Sequence, residues 1–144
     1  MTFKSRFFSY HGRFSRRDYW LSILFLIIAV ILWVGLLLAL SLLQLSYWTM
    51  VALLVPPFLI ILIAGIIVTI KRLHDRNKSG WFYVIYVTLP DGLSRMSDYV
   101  EQDGLLMWGL LFLALLIGIV GLVDIGFLRG TRGENRFGPD PVDH

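Results

Sequence analysis

The chain has 144 residues, 57% of them hydrophobic and only 16% charged, with a formal net charge of +3. Soluble domains run nearer ~45–50% apolar and ~25% charged, and the apolar excess here is gathered in long blocks, so a separate globular domain is excluded. There is no cysteine, which excludes disulfides, thiolate metal sites and cysteine nucleophiles.

The mean hydropathy is +0.73 and the sequence pI about 9.4. A basic chain can bind nucleic acid, but the basic residues here flank apolar spans, the pattern of cytoplasmic loops on anionic lipid. Three blocks carry no charge: Leu21–Leu43, Val51–Ile70 and Leu105–Val123. A helix rises ~1.5 Å per residue and the hydrocarbon is ~30 Å thick, so about 20 apolar residues make a span. All three blocks meet that length. Leu21–Leu43 is too long for a signal-peptide core and reads as a retained span.

Taken in order, residues 1–18 form a basic, aromatic N-terminal segment. Phe3, Phe7, Tyr10 and Phe14 recur at helical spacing, with Lys4 and Arg6 off that face, and predict either a short interfacial helix or a basic tail. The first span covers about 19–43. Tyr19-Trp20 and Tyr47-Trp48 mark its two borders. The second span covers about 50–70, with Pro56 and Pro57 near its first turns. Lys71–Ser79 follows with four basic residues and one acid. A third, short helix is predicted over 80–93, closed by a turn at Pro90-Asp91-Gly92. Asp91–Asp103 makes an acidic loop. The last span covers about 105–127. Ala114, Gly118 and Gly121 share one of its faces and predict close contact with another helix, in the same chain or in a second copy. Residues 128–144 form a Gly- and Pro-rich tail.

Lysines and arginines beside the spans number 5, 0, 4, 1 and 3 in chain order. The positive-inside rule then places the N-terminus, Lys71–Trp81 and the tail on the cytoplasmic side, and the Gln44–Thr49 link and the acidic loop outside. The alternation requires four crossings. The fold class expected is all-α: a polytopic membrane protein of one domain over 1–144, a four-helix transmembrane bundle with a short third helix.

Three polar stretches therefore converge on one face: GRFSRRDYW at Gly12–Trp20, KRLHDRNKSGW at Lys71–Trp81 and GTRGENRFGPDP at Gly130–Pro141. Their residues, order and spacing between apolar spans resemble the signature segments of the bacterial inner-membrane family called domain of unknown function 805. The resemblance covers nearly the whole chain. It implies a small multi-spanning protein of the cytoplasmic membrane and no activity, substrate or cofactor. The acidic insert at Asp91–Asp103 departs from the family pattern, which has a tighter turn there.

The cluster expected on the cytoplasmic face is Arg13, Arg16, Arg17, Arg72, His74, Asp75, Asp124, Glu134, Asn135, Arg136 and Asp140. Asp75 stands one helical turn from Arg72 and Lys71, the spacing of an ion pair. His74 and Asp75 are adjacent, so on a helix they point about 100° apart and make a poor general-base pair. No serine or second histidine completes a triad, and the histidines lack metal-ligand spacing. The arginines suit phosphate, which guanidinium binds bidentately. Asp124, beside the last span, is expected to pair with Arg129 or Arg72, and Glu134 or Asp140 to accept from an arginine of the other stretches.

The function these residues imply is a non-catalytic integral membrane protein whose Arg/His/Asp cluster braces the structure or binds anionic lipid or a partner. No cofactor is expected. A homo-oligomer through Ala114, Gly118 and Gly121 and an oligomeric small-solute transporter or channel are the alternatives, with an enzyme acting on headgroups through His74 and Asp75 a third.

Overall fold

Ser15 starts the first helix. Its hydroxyl accepts from the Asp18 N–H at 3.1 Å and donates to the Asp18 carboxylate at 2.7 Å, satisfying one of the amides a helix N-terminus leaves bare. Helix α1 then runs over Arg16–Ser41. The computed structural model describes residues 7–9, 11–100 and 104–142. The chain turns at Gln44, whose φ is 49°. Ser46 caps α2, Tyr47–Asp75, accepting from the Thr49 N–H. Helix α3, Leu89–Ser97, is entered directly through a π-helical segment, Val84–Thr88. Helix α4, Leu105–Leu122, passes into a second π segment, Val123–Phe127. No strand occurs among the described residues.

Among the described residues, three helical stretches are long and apolar enough to cross a membrane: Arg16–Ser41, Tyr47–Asp75 and Leu105–Phe127. Their large apolar side chains are mostly exposed; Leu32 is 68% exposed and Phe112 68%. So wide an apolar surface is untenable in water and suits lipid.

Three expectations need correction. The turn at Pro90-Asp91-Gly92 is absent, and helix continues to Ser97. The Leu89 N–H reaches back five residues to the Val84 carbonyl, so the amide that Pro90 lacks falls where the hydrogen-bond register has already slipped. An exposed Arg95–Asp91 pair at 2.8 Å spans the next turn. Even so, continuous helix over 82–97 rises only ~24 Å, short of the ~30 Å hydrocarbon. The prolines also lie deeper than expected: α2 begins at Tyr47, so Pro56 and Pro57 sit inside it.

The third correction concerns the N-terminal segment. Residues 11–15 are not helical. Phe7 and Phe14 are buried in the protein, with Ala64 and Val68 of α2 and with Tyr19, Ile23 and Leu26 of α1 around them. They wedge the two helices at one end instead of lying on an interface. Phe3 and Tyr10 lie outside the described residues. The small-residue face of α4 meets another helix of the same chain at Gly121, one of the two contacts expected of it. A Cβ there would lie 2.7 Å from the Tyr86 Cβ, so glycine lets the two π-bearing helices touch. Ala114 is buried too. Gly118 has nothing within 4 Å of a Cβ position and lines a groove of about 480 Å³ between α3 and α4.

Candidate functional site

The last turn of α2 carries Arg72, His74 and Asp75, and the chain around them is built to receive them. The Phe14 N–H donates to the Lys71 carbonyl at 3.2 Å, and the Thr131 N–H to the Asp75 carbonyl at 2.8 Å. The N-terminal segment and the tail are thereby stitched to the open end of α2, whose last carbonyls have no partner in the helix.

Asp75 lies between two guanidiniums. Arg13 donates to its Oδ1 from Nε at 3.1 Å and from Nη2 at 3.0 Å. Arg72 Nη1 pairs with its Oδ2. Arg13 is 3% exposed, Arg72 0% and Asp75 3%. Buried charges persist only when paired and hydrogen-bonded, and the remaining donors of both arginines find carbonyls. Arg13 reaches Gly133 at 2.6 Å, Gly138 at 3.2 Å and Thr131 at 2.5 Å. Arg72 reaches Ile125 at 2.7 Å, Phe14 at 3.2 Å and Leu128. One carboxylate and two arginines thus join the N-terminal segment, α2, the end of α4 and the tail. Gly130 is the residue that permits this: a Cβ there would overlap the Asp75 carboxylate.

Asp124 sits in the second π segment and forms a separate centre. Contrary to expectation, its partners are Arg76 and Lys78. Arg76 Nη2 lies 3.1 Å from Oδ1, and Lys78 Nζ 2.7 Å from Oδ2. Arg76 also donates to the Arg129 carbonyl, and Lys78 to the Tyr86 hydroxyl at 2.8 Å. Burial alone would lower the Lys78 pKa, but the Asp124 carboxylate and the Tyr86 hydroxyl outweigh it and hold it above the ordinary lysine value. Arg72 is unavailable to Asp124 because Asp75 and three carbonyls engage it.

The other expected residues divide. Asn135 donates to the His74 carbonyl at 3.0 Å and to Thr131 Oγ1 at 2.8 Å. The His74 ring stacks on Phe137 at 3.9 Å, and Arg136 covers Phe137 at 4.7 Å while donating to the Asn77 carbonyl. His74 Nδ1 is buried and makes no hydrogen bond. Asp140 accepts from the Gly133 N–H at 2.9 Å and closes the tail's own turn. Glu134 and Arg17 are exposed and stand apart from the buried pairs. Arg16 donates to the Phe127 carbonyl at 3.1 Å. The residues missed by sequence reasoning are Arg76, Lys78, Tyr86 and Thr131. Arg76 had a signal, since it follows Arg72 by one helical turn and shares its face. No group of three or more metal-ligating side chains occurs among the described residues.

A family model described as protein of unknown function, DUF805, matches residues 7–139. The uncharacterized protein YiiR of Escherichia coli K12 is 33% identical over 153 aligned positions, covering 99% of this chain and 92% of that protein. The inner membrane protein YhaI of the same strain is 28% identical, covering 92% and 85%. The inner membrane protein YhaH is 34% identical over 74 positions, covering 51% of this chain and 40% of its own length. No solved structure matches at a significant level.

Proposed function

Starting from the fact that this chain belongs to the DUF805 family of proteins of unknown function, we propose that it is a small, multi-pass, non-catalytic protein of the bacterial inner membrane. On this reading its cytoplasmic face is held shut by the Arg13–Asp75–Arg72 clasp. The family and three apolar helices make it a membrane protein, and the names of two relatives support the inner membrane. One observation carries the clasp: the Asp75 carboxylate is shared by two buried arginines from separate stretches. Groups so fully engaged hold a structure together, whereas a general acid or base needs an oxygen or nitrogen open to substrate.

The orientation proposed has four crossings, with the third helix sheltered by α4 and by local bilayer thinning, and both termini in the cytoplasm. The natural chain has no cysteine, so single cysteines report position without background. Gln44 and Tyr99 are exposed, as is Arg132 on the tail. Cysteines at Gln44 and Tyr99 label with an impermeant maleimide in intact cells, and one at Arg132 labels only after lysis. Labelling of Arg132 from outside, with Tyr99 protected, reduces the crossings to three and overturns the orientation.

The groove over Gly118 favours a second reading, an oligomer in which a helix of another copy fills it and which acts as a small-solute transporter or channel. Native mass spectrometry from membranes decides it. A strictly monomeric chain removes this reading.

A further inference from the structure

Arg95 and Asp91 of α3 form an ion pair that neither the clasp nor the Asp124 centre uses. Arg95 Nε donates to Asp91 Oδ2 at 2.8 Å, and the two side chains are largely exposed, at 74% and 61%. In water such a pair is ordinary and contributes little. Its depth sets this one apart. Tyr86 touches Gly121 of α4, and Pro90, Asp91 and Ser94 share a groove with Ala114 and Gly118 of α4. The third helix therefore runs antiparallel beside α4. Stepping residue for residue from the Tyr86–Gly121 contact sets Asp91 level with Leu116, the midpoint of the membrane-long stretch Leu105–Phe127. A second count agrees. Trp81 is exposed and belongs at the headgroup level. Asp91 lies ~15 Å further along the helix, at ~1.5 Å per residue, which is half of the ~30 Å hydrocarbon.

Charged side chains inside a membrane pair with one another and face other protein or a water-filled cavity. Asp91 and Arg95 do pair, but within one chain they face outward. Among the described residues, α1 and α2 meet the other pair of helices only through the second π segment, at the end that carries Asp124, so neither covers Asp91. The exposed face is complementary to itself. Two copies in one membrane share an orientation and are related by a two-fold axis along the membrane normal, which sets the same patch on both sides of the interface. An acid and a base one turn apart then meet a base and an acid. Asp91 of one copy and Arg95 of the other differ in height by one turn, the rise that Arg95 already covers within its own helix. Apolar contact gives no driving force between helices in lipid, and polar groups paired across them supply it.

We propose that the charged face of α3 is the seat of a symmetric homodimer, in which Asp91 of each copy pairs with Arg95 of the other and the pairs are closed off from lipid. The inference deepens the oligomer reading above and rests on it for the second copy, but the contact it names is the Asp91–Arg95 face and needs no helix seated on Gly118. It also rests on the third helix crossing the membrane, which cysteine labelling tests by itself.

Full-length copies with tags of different mass are co-expressed, and native mass spectrometry from membranes reads the dimer fraction and its composition. Wild type is dimeric. The double reversal Asp91→Arg with Arg95→Asp keeps the pair within each chain and the net charge. It dimerises with itself as wild type does, but against wild type it sets acid on acid and base on base, so the mixed dimer falls at least about tenfold below the random share. Random mixing of the two overturns the proposal and leaves the oligomer reading standing. The single reversals give an independent test that holds even where the double variant does not insert. Asp91→Arg is basic at both positions and Arg95→Asp acidic at both; neither forms its own dimer, and co-expressed they form the mixed one. Absence of that mixed dimer also overturns the proposal. A monomeric wild type removes the oligomer reading and this inference with it, and monomers that retain a phospholipid assign the face to lipid.

Discussion

Gly130 lies against the carboxylate of Asp75 so closely that a Cβ on it would occupy the same space. The tail can cross the end of α2 only because this residue has no side chain, and the Thr131 N–H then reaches the Asp75 carbonyl.

Gly130→Ala therefore forces the carboxylate away from Arg13 and Arg72. Breaking a buried pair leaves uncompensated charge and costs about 3–5 kcal/mol. Gly133→Ala is the comparison: its φ of +72° is strained for alanine, but nothing lies within 4 Å of its Cβ position. It costs only ~1–2 kcal/mol. Unfolding midpoints in lipid nanodiscs check the order, with Gly130→Ala the lower.

Along α4, Gly121 and Gly118 share a face but differ in surroundings. A Cβ at Gly121 meets Tyr86, while one at Gly118 meets nothing within 4 Å. Gly121→Ala pushes the third helix off α4 and costs roughly 1–3 kcal/mol by overpacking. Gly118→Ala is neutral or slightly stabilising, because alanine is the better helix former. Thermal unfolding of the two variants beside wild type separates them. Equal losses would mean that this face meets a second copy along its whole length.

Asp124→Asn strips the charge facing Arg76 and Lys78. These cations are partly exposed, at 24% and 26%, and water can take up part of the loss. The expected cost is about 1–2 kcal/mol, below the ~3–5 kcal/mol of Asp75→Asn. The pH dependence follows from Lys78, whose folded pKa is raised by Asp124 and Tyr86 against the effect of burial. Such a group contributes fully below its unfolded pKa and loses that contribution as pH rises through the folded value. The gap between wild type and Asp124→Asn is thus constant from neutral pH to the ordinary lysine pKa and narrows only above it. Chemical denaturation at several pH values measures it.

Much of this was legible in the residues themselves. Hydropathy set the three long spans, and the i, i+3 spacing of Arg72 and Asp75 gave the inner pair of the clasp. The positive-inside count brought the three polar stretches to one face before any contact was known. What escaped has a common cause. Arg13 and Arg72 are held mainly by backbone carbonyls of Phe14, Ile125, Leu128, Thr131, Gly133 and Gly138, and a carbonyl acceptor leaves no signature in the side chains. Arg72 and Arg76 occupy one helical face, so spacing alone does not say which of them takes Asp124; the carbonyls around Arg72 decide it. The π segments before Pro90 and after Leu122 likewise carry no residue pattern. The first turned a predicted turn into helix, and the second set Asp124 toward Arg76 and Lys78.

The clasp itself is tested most directly by a double-mutant cycle between Arg13 and Asp75, two residues far apart in sequence whose Nη2 and Oδ1 lie 3.0 Å apart. Unfolding free energies of wild type, Arg13→Ala, Asp75→Ala and the double variant are measured in the same lipid. The predicted result is a coupling of about 1–3 kcal/mol, with the double variant losing clearly less than the two single losses combined. Additivity to within ~0.5 kcal/mol would contradict the account, because Asp75 would then not join the N-terminal segment to the end of α2.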